Sequence, residues 1–151
     1  RRESVVVAMR IEQEHGFSGG AALPEPVQLE CGLGSIALGD WAQVDGLATY
    51  SGGAWYRKTI HWERPAKASR VVLDLGNVSA SAEVHVNGKL VGTRVAPPWT
   101  LDVTESLQSG ANRIEVLVYN TLANHYLTVP TRYRGSTISG LLGPVRLIHV
   151  P

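Results

Sequence analysis

The 151-residue chain contains a single cysteine, Cys31, so it can form no intrachain disulfide and no thiolate metal cage. Cys31 sits in the apolar stretch Val27–Cys31 with no neighbouring histidine, and reads as a small buried residue rather than a nucleophile. A G-x-S-x-G elbow is also missing. No run approaches the roughly 20 apolar residues of a membrane-spanning helix. Fourteen basic and thirteen acidic residues leave a formal net charge of +1, and the basic ones are scattered, so no partnership with nucleic acid or an anionic membrane is expected. The five histidines (His15, His61, His85, His125 and His149) show no i, i+4 metal spacing, and no acidic cluster advertises a cation. No cofactor and no metal are therefore expected, although backbone carbonyls leave a structural calcium open. Helix signals are nearly lacking too: only Val103–Gln108, after Asp102 or Thr104 as N-cap, suits a helical turn.

What remains is a rhythm of short β-branched runs bounded by Gly, Asn, Asp or Pro. It predicts strands at Ser4–Ile11, Val27–Cys31, Ser35–Leu38, Trp55–Trp62, Arg70–Leu75, Ala82–Val86, Leu90–Val95, Arg113–Tyr119 and Val145–Val150. Strict alternation in Ala82–Val86 buries one side and turns Glu83 and His85 outward. Asn87-Gly88 then suits a type I′ hairpin. On Trp55–Trp62, Tyr56, Ile60 and Trp62 are expected to face the core, with Trp55, Arg57 and Thr59 opposite. Trp41, in a Gly-Asp-Trp turn, is expected to cover an edge. At 44% hydrophobic and 18% charged residues, the composition is that of a folded globular domain. Regular strands without helices between them predict an all-β sandwich or jelly roll, one domain over residues 1–151. Residues 1–26 could instead be a flanking strand and loop, with Gly16–Pro26 as the loop. A chain starting at Arg1 is expected to be a fragment of a larger protein, and it carries no signal-peptide pattern.

Several segments together carry a resemblance: WYRKTI (Trp55–Ile60), LGNVS (Leu75–Ser79), AEVHVNGKLVG (Ala82–Gly92), LDVT (Leu101–Thr104), GANRI (Gly110–Ile114) and SGLLGPVRL (Ser139–Leu147). With them the chain resembles the sugar-binding domain of family 2 glycoside hydrolases, a galactose-binding-domain-like jelly roll, from about Gly39 to Val150. Tyr50-Ser51-Gly52, Ala96-Pro97-Pro98-Trp99 and Asn120–Leu122 look more like the C-terminal domain of family 106 α-L-rhamnosidases. Either resemblance implies a non-catalytic, carbohydrate-binding-like module of a polysaccharide-degrading enzyme, with the catalytic domain of the same polypeptide as its partner. Alternatives are a structural module bracing that domain and a free-standing lectin-like domain. For location, the resemblance favours a secreted or periplasmic protein.

Glycoside hydrolysis needs two carboxyl groups about 5–9.5 Å apart across the scissile bond. Here most of the acids, among them Asp74, Glu83, Asp102, Glu105 and Glu115, sit at a strand end, a turn or outward strand positions, and no catalytic residue is expected. The long connection Thr121–Gly143 stands out, because structureless links beyond about 12–15 residues are uncommon in compact domains. Sugar sites combine flat aromatics with amide and guanidinium groups. Asn120, Asn124, His125, Tyr126, Arg132, Tyr133 and Arg134 supply these, and Trp99, after two prolines, could approach the same end. Alternatively, the tyrosines pin the loop, the arginines are solvated and Trp99 is a core-edge residue. The family 2 pattern implies acidic residues in the loop before the final strand. This loop has none and bears Arg132 and Arg134, which suits a carboxylate-bearing saccharide, pectic or rhamnose-containing.

Overall fold

Alternating strands hide their apolar side only when a second sheet covers it, and the chain solves this with two facing sheets. The computed structural model describes residues 36–44, 46–64 and 70–150. Nine strands follow in order: β1 (Gly53–Trp62), β2 (Arg70–Asp74), β3 (Asn77–Val78), β4 (Ser81–Val86), β5 (Lys89–Arg94), β6 (Thr100–Asp102), β7 (Gly110–Tyr119), β8 (Leu141–Gly143) and β9 (Arg146–Val150). One sheet runs β1-β7-β4-β5, all neighbours antiparallel. The other runs β6-β2-β9, and β3 pairs with β8 beside it.

The core follows the alternation. Val84 and Val86 of β4 and Val116 and Val118 of β7 point inward against Val71 and Leu73 of β2 and Leu101 of β6, all buried in one cluster. Each such side chain is worth about 1.5–3 kcal/mol when fully buried. Tyr56, Ile60 and Trp62 face this core as their spacing predicts, while Trp55 faces out. Asn87 and Gly88 take φ of 52° and 78°, the left-handed pair of a type I′ turn. The partner strand carries one extra residue opposite Val84–His85, a bulge that bends the hairpin.

Some expectations are corrected. Ile36–Leu38, the described part of the expected Ser35–Leu38 strand, is not in a strand. Gly39, at φ 140°, turns the backbone there into a single 3-10 turn over Trp41–Gln43. Trp41 is not an edge cover: it is 1% exposed, and its Nε1 donates to the Tyr56 hydroxyl at 2.6 Å. Gly140 makes room for it, since a Cβ there would come within 2.5 Å of that nitrogen. The connection Thr121–Gly143 holds a 3-10 turn, His125–Thr128, and strand β8. Strands β3, β6 and β8 have two or three residues each, too few for any periodicity to register. The expected strands Ser4–Ile11 and Val27–Cys31, Cys31, and the Gly16–Pro26 loop lie outside the described residues.

At the end carrying the β4–β5 turn, Asn112 is fully buried. Its Nδ2 donates to the carbonyls of Gln108 and Gly110, and its Oδ1 accepts from Gln108 N and Asn87 Nδ2. Nearby, Asp102 is the capping residue of the turn after β6. Its Oδ1 accepts from the Thr104 hydroxyl (2.6 Å) and Thr104 N (3.0 Å), and its Oδ2 from Arg70 Nε (2.7 Å). The Thr104 bonds, and then Arg70, lower its pKa from 3.8 to about 2. A carboxylate depressed in the folded state contributes stability above its unfolded pKa and loses it as pH falls through the folded one. Thermal melting of the chain should therefore drop between pH 3.8 and about 2, and Asp102→Asn should flatten that part of the profile. An Asp102→Asn profile parallel to that of the unsubstituted chain would contradict the assignment.

Candidate functional site

Leaving β7, the chain must cross from one sheet to the other, and its polar backbone needs partners on the way. Asn120, at the end of β7, supplies the first set. Its Oδ1 accepts from Gly52 N (2.8 Å), and its Nδ2 donates to Tyr50 O (2.8 Å) and Ser139 Oγ (2.9 Å). Asn124 has no exposed surface, and both ends of its amide are saturated. Nδ2 donates to Ala48 O (3.2 Å) and Thr137 O (2.9 Å), and Oδ1 accepts from Ser139 Oγ (2.9 Å) and Asn120 Nδ2 (3.3 Å). Asp40 completes the ring by accepting from Ser139 N at 2.9 Å. The 3-10 turn is anchored in turn by Ser51, whose Oγ accepts from His125 N at 3.0 Å.

With both ends fastened, residues 123–137 curl around an open cleft of about 370 Å³. Tyr126, Tyr133, Arg134, Leu127, Val129 and Pro130 are among its walls. The Tyr126 and Tyr133 rings lie 5.1 Å apart at a 52° tilt, and His125 stands 6.0 Å from Tyr126. Arg134 donates from Nη1 to the carbonyls of Thr131 and Tyr133, which sets its guanidinium at the loop tip. Arg132 is exposed near it in sequence and does not line the cleft.

Of the eight residues expected at a sugar site, Arg132 stands exposed outside the cleft, and the other seven separate into three groups. Tyr126, Tyr133 and Arg134 share the cleft, with His125 beside them. Asn120 and Asn124 lie beneath the loop with their amides committed to holding it. Trp99 is 9% exposed and belongs to the hydrophobic core, with its carbonyl accepting from Leu75 N, so its ring is not offered to a ligand in this cleft. The prolines before it mark a turn, but the position is spaced as core with Leu101 and Val103. Asp40, Ser51 and Ser139 were not foreseen. They are one-residue contacts across sequence separations of 99, 74 and 15, and no local pattern encodes such a contact.

Four other described carboxylates have partners of their own. Glu115 pairs with Arg57 and Arg113, Glu83 with His85, Glu63 with His61, and Asp74 accepts from Gly76 N. Among the described residues, no three His, Cys, Asp or Glu side chains gather as metal ligands.

Residues 46–131 match the model of the family described as "Glycosyl hydrolase 2 galactose-binding domain-like". Over 94 residues, 60% of the chain, it is 39% identical to a protein of Formosa agariphila named "Putative beta-glucuronidase", and spans 8% of that protein's length. The rhamnosidase of Novosphingobium sp. PP1Y superposes with a TM-score of 0.61 at 29% identity, over 73% of this chain and 12% of that one. The β-glucuronidase of Bacteroides uniformis superposes with a TM-score of 0.54 at 25% identity, over 68% of this chain and 12% of that one. The chain thus corresponds to a small part of each of these proteins.

Truncating Asn124 would strand two carbonyls and a hydroxyl in a buried place. Asn124→Ala should cost about 2–3 kcal/mol in urea unfolding. Arg132→Ala, at an exposed position, should stay within about 0.5 kcal/mol of the unsubstituted chain. Equal stability of the two variants would remove the anchoring role.

Proposed function

We propose, from the premise that this chain belongs to the glycosyl hydrolase 2 galactose-binding domain-like family, that it is a non-catalytic accessory module of a glycoside hydrolase. On this reading the loop of residues 121–139 offers its cleft to an acidic saccharide, and a catalytic domain of the same polypeptide performs the hydrolysis. One observation carries the reading: two tyrosine rings and the Arg134 guanidinium line a single cleft, and no carboxylate is among its lining residues. Aromatic rings accept the C–H face of a sugar, and a guanidinium matches a carboxylate through paired N–H donors. The names of two relatives agree, for a glucuronide carries a carboxylate. A rhamnose-containing or pectic chain would fit the same groups, since galacturonate has the same charge.

A second reading has its own support. Leu122, Leu127, Val129 and Ile138 are exposed along this loop. Such a rim suits packing against a neighbouring domain. The loop would then brace the catalytic domain rather than hold sugar.

Calorimetric titration of the chain with galacturonate oligosaccharides, glucuronate and rhamnose separates these readings. It should reach millimolar ligand, because a single small site offers only about −4 kcal/mol. Acidic sugars are expected to bind, with affinity reduced about tenfold in a combined Arg132→Ala, Arg134→Ala variant and lost in Tyr126→Ala. Unchanged affinity in the arginine variant would reject the acidic specificity. No binding by the folded chain would leave the bracing role.

A further inference from the structure

We propose that Asn87-Gly88 is a site of covalent modification: deamidation of Asn87 by water to aspartate and isoaspartate, which the fold slows and which loosens this end of the sandwich once it occurs. Of the five asparagines in the chain, Asn87 alone precedes a glycine. The others precede Val78, Arg113, Thr121 and His125, whose side chains crowd the backbone nitrogen that must attack. At Gly88 that nitrogen is unhindered. No atom beyond its chain neighbours lies within 4 Å of where a Cβ would stand, so solvent reaches the turn.

Water is the only co-reactant the chemistry needs. The Gly88 nitrogen, once its proton has passed to solvent, attacks Cγ of the Asn87 side chain. The N–Cγ bond forms, the Cγ–Nδ2 bond breaks, and Nδ2 leaves as ammonia with a proton returned by solvent. Water then adds to one of the two carbonyl carbons of the resulting cyclic imide. Opening on one side yields aspartate. Opening on the other yields isoaspartate, in which the backbone runs through the side chain and gains a methylene. Nothing is oxidised or reduced.

The structure works against the first step. Attack needs the Asn87 carboxamide folded over Gly88, but it is held across the end of the sheet instead. Its Oδ1 accepts from Arg113 N at 2.9 Å, and its Nδ2 donates to Ser106 O (3.1 Å) and Asn112 Oδ1 (2.9 Å). The Asn87 backbone N–H is fixed as well, on Arg113 O at 2.8 Å. These side-chain bonds must break before Cγ can meet the nitrogen, so the rate follows the small population in which the turn is open.

The products cannot restore those bonds. An aspartate has only acceptors where Nδ2 donated, and it would face two further acceptors, Ser106 O and Asn112 Oδ1. Asn112 cannot turn its amide in answer. It is fully buried, and its own Nδ2 is committed to Gln108 O (2.6 Å) and Gly110 O (3.1 Å). Isoaspartate lengthens the backbone of a tight type I′ turn, whose left-handed pair at φ 52° and 78° has no place for an added atom. Either product parts the β4–β5 hairpin from the turn after β6.

The experiment incubates the 151-residue chain in mildly alkaline buffer, folded and in urea, and follows mass gain and isoaspartate by peptide mapping. Product is expected first at Asn87, forming about tenfold faster in urea than in the folded chain. Asn112→Ala, which removes one of the three bonds, should raise the folded rate several-fold. Asn87→Asp should melt below both the unsubstituted chain and Asn87→Gly, since glycine removes the same bonds without setting a charge among the acceptors. Earlier product at another asparagine, or equal rates folded and in urea, would overturn the proposal. So would Asn87→Asp melting level with the unsubstituted chain. If Asn112→Ala does not fold, the urea comparison and Asn87→Asp decide the matter.

Discussion

The buried hydrogen-bonded ring of Asn120, Asn124 and Ser139 is the constraint on which the rest of this structure depends. Amide and hydroxyl groups withdrawn from water are costly unless every donor and acceptor is answered, and here Asn124 answers two carbonyls, a hydroxyl and a second amide at once. Because the partners come from residues 48–52, 120–124 and 137–139, the ring ties three distant parts of the chain at one end of the sandwich. Trp41 extends the tie into the core, with its backbone N–H on Ser139 O and its indole on Tyr56. A loop fastened this way can carry Tyr126, Tyr133 and Arg134 at its surface without needing them for its own stability.

The opposite end repeats the solution with different residues. Asn112 saturates its amide against Gln108, Gly110 and Asn87, while Asn87 exchanges two bonds with the backbone of Arg113. Between these amide clusters lies an interior of valines, leucines and tryptophans, in which the Trp41 indole N–H donates to the Tyr56 hydroxyl and the Trp62 indole N–H has no partner among the described residues. Asparagine is suited to such closures because one side chain imitates both halves of a peptide group.

The cleft and the outward face of the β1-β7-β4-β5 sheet differ in their electrostatics as well as their position. The cleft presents cationic and aromatic groups without a carboxylate, whereas the outward sheet face presents cations and carboxylates already paired. The contrast follows from local geometry. Residues two apart on a strand, and opposite residues on its neighbours, meet on one face, so Arg57, Arg113 and Glu115 find one another. Residues in an irregular loop have no such neighbours, and Arg134 turns to its own backbone carbonyls instead.

Strand alternation is a local property, so the sequence by itself determined the β-sandwich: Val84, Val116 and Ile60 face inward because of their spacing, and Asn87-Gly88 turns because of its backbone freedom. The members of the cleft were also legible in part, since Tyr126, Tyr133 and Arg134 are near neighbours in the chain. Only the tertiary structure decided that Asn120 and Asn124 are fasteners and that Trp99 and Trp41 are core. Those outcomes rest on contacts between residues far apart in sequence, where burial assigns each polar atom a partner and each ring a side, and no local pattern carries that information.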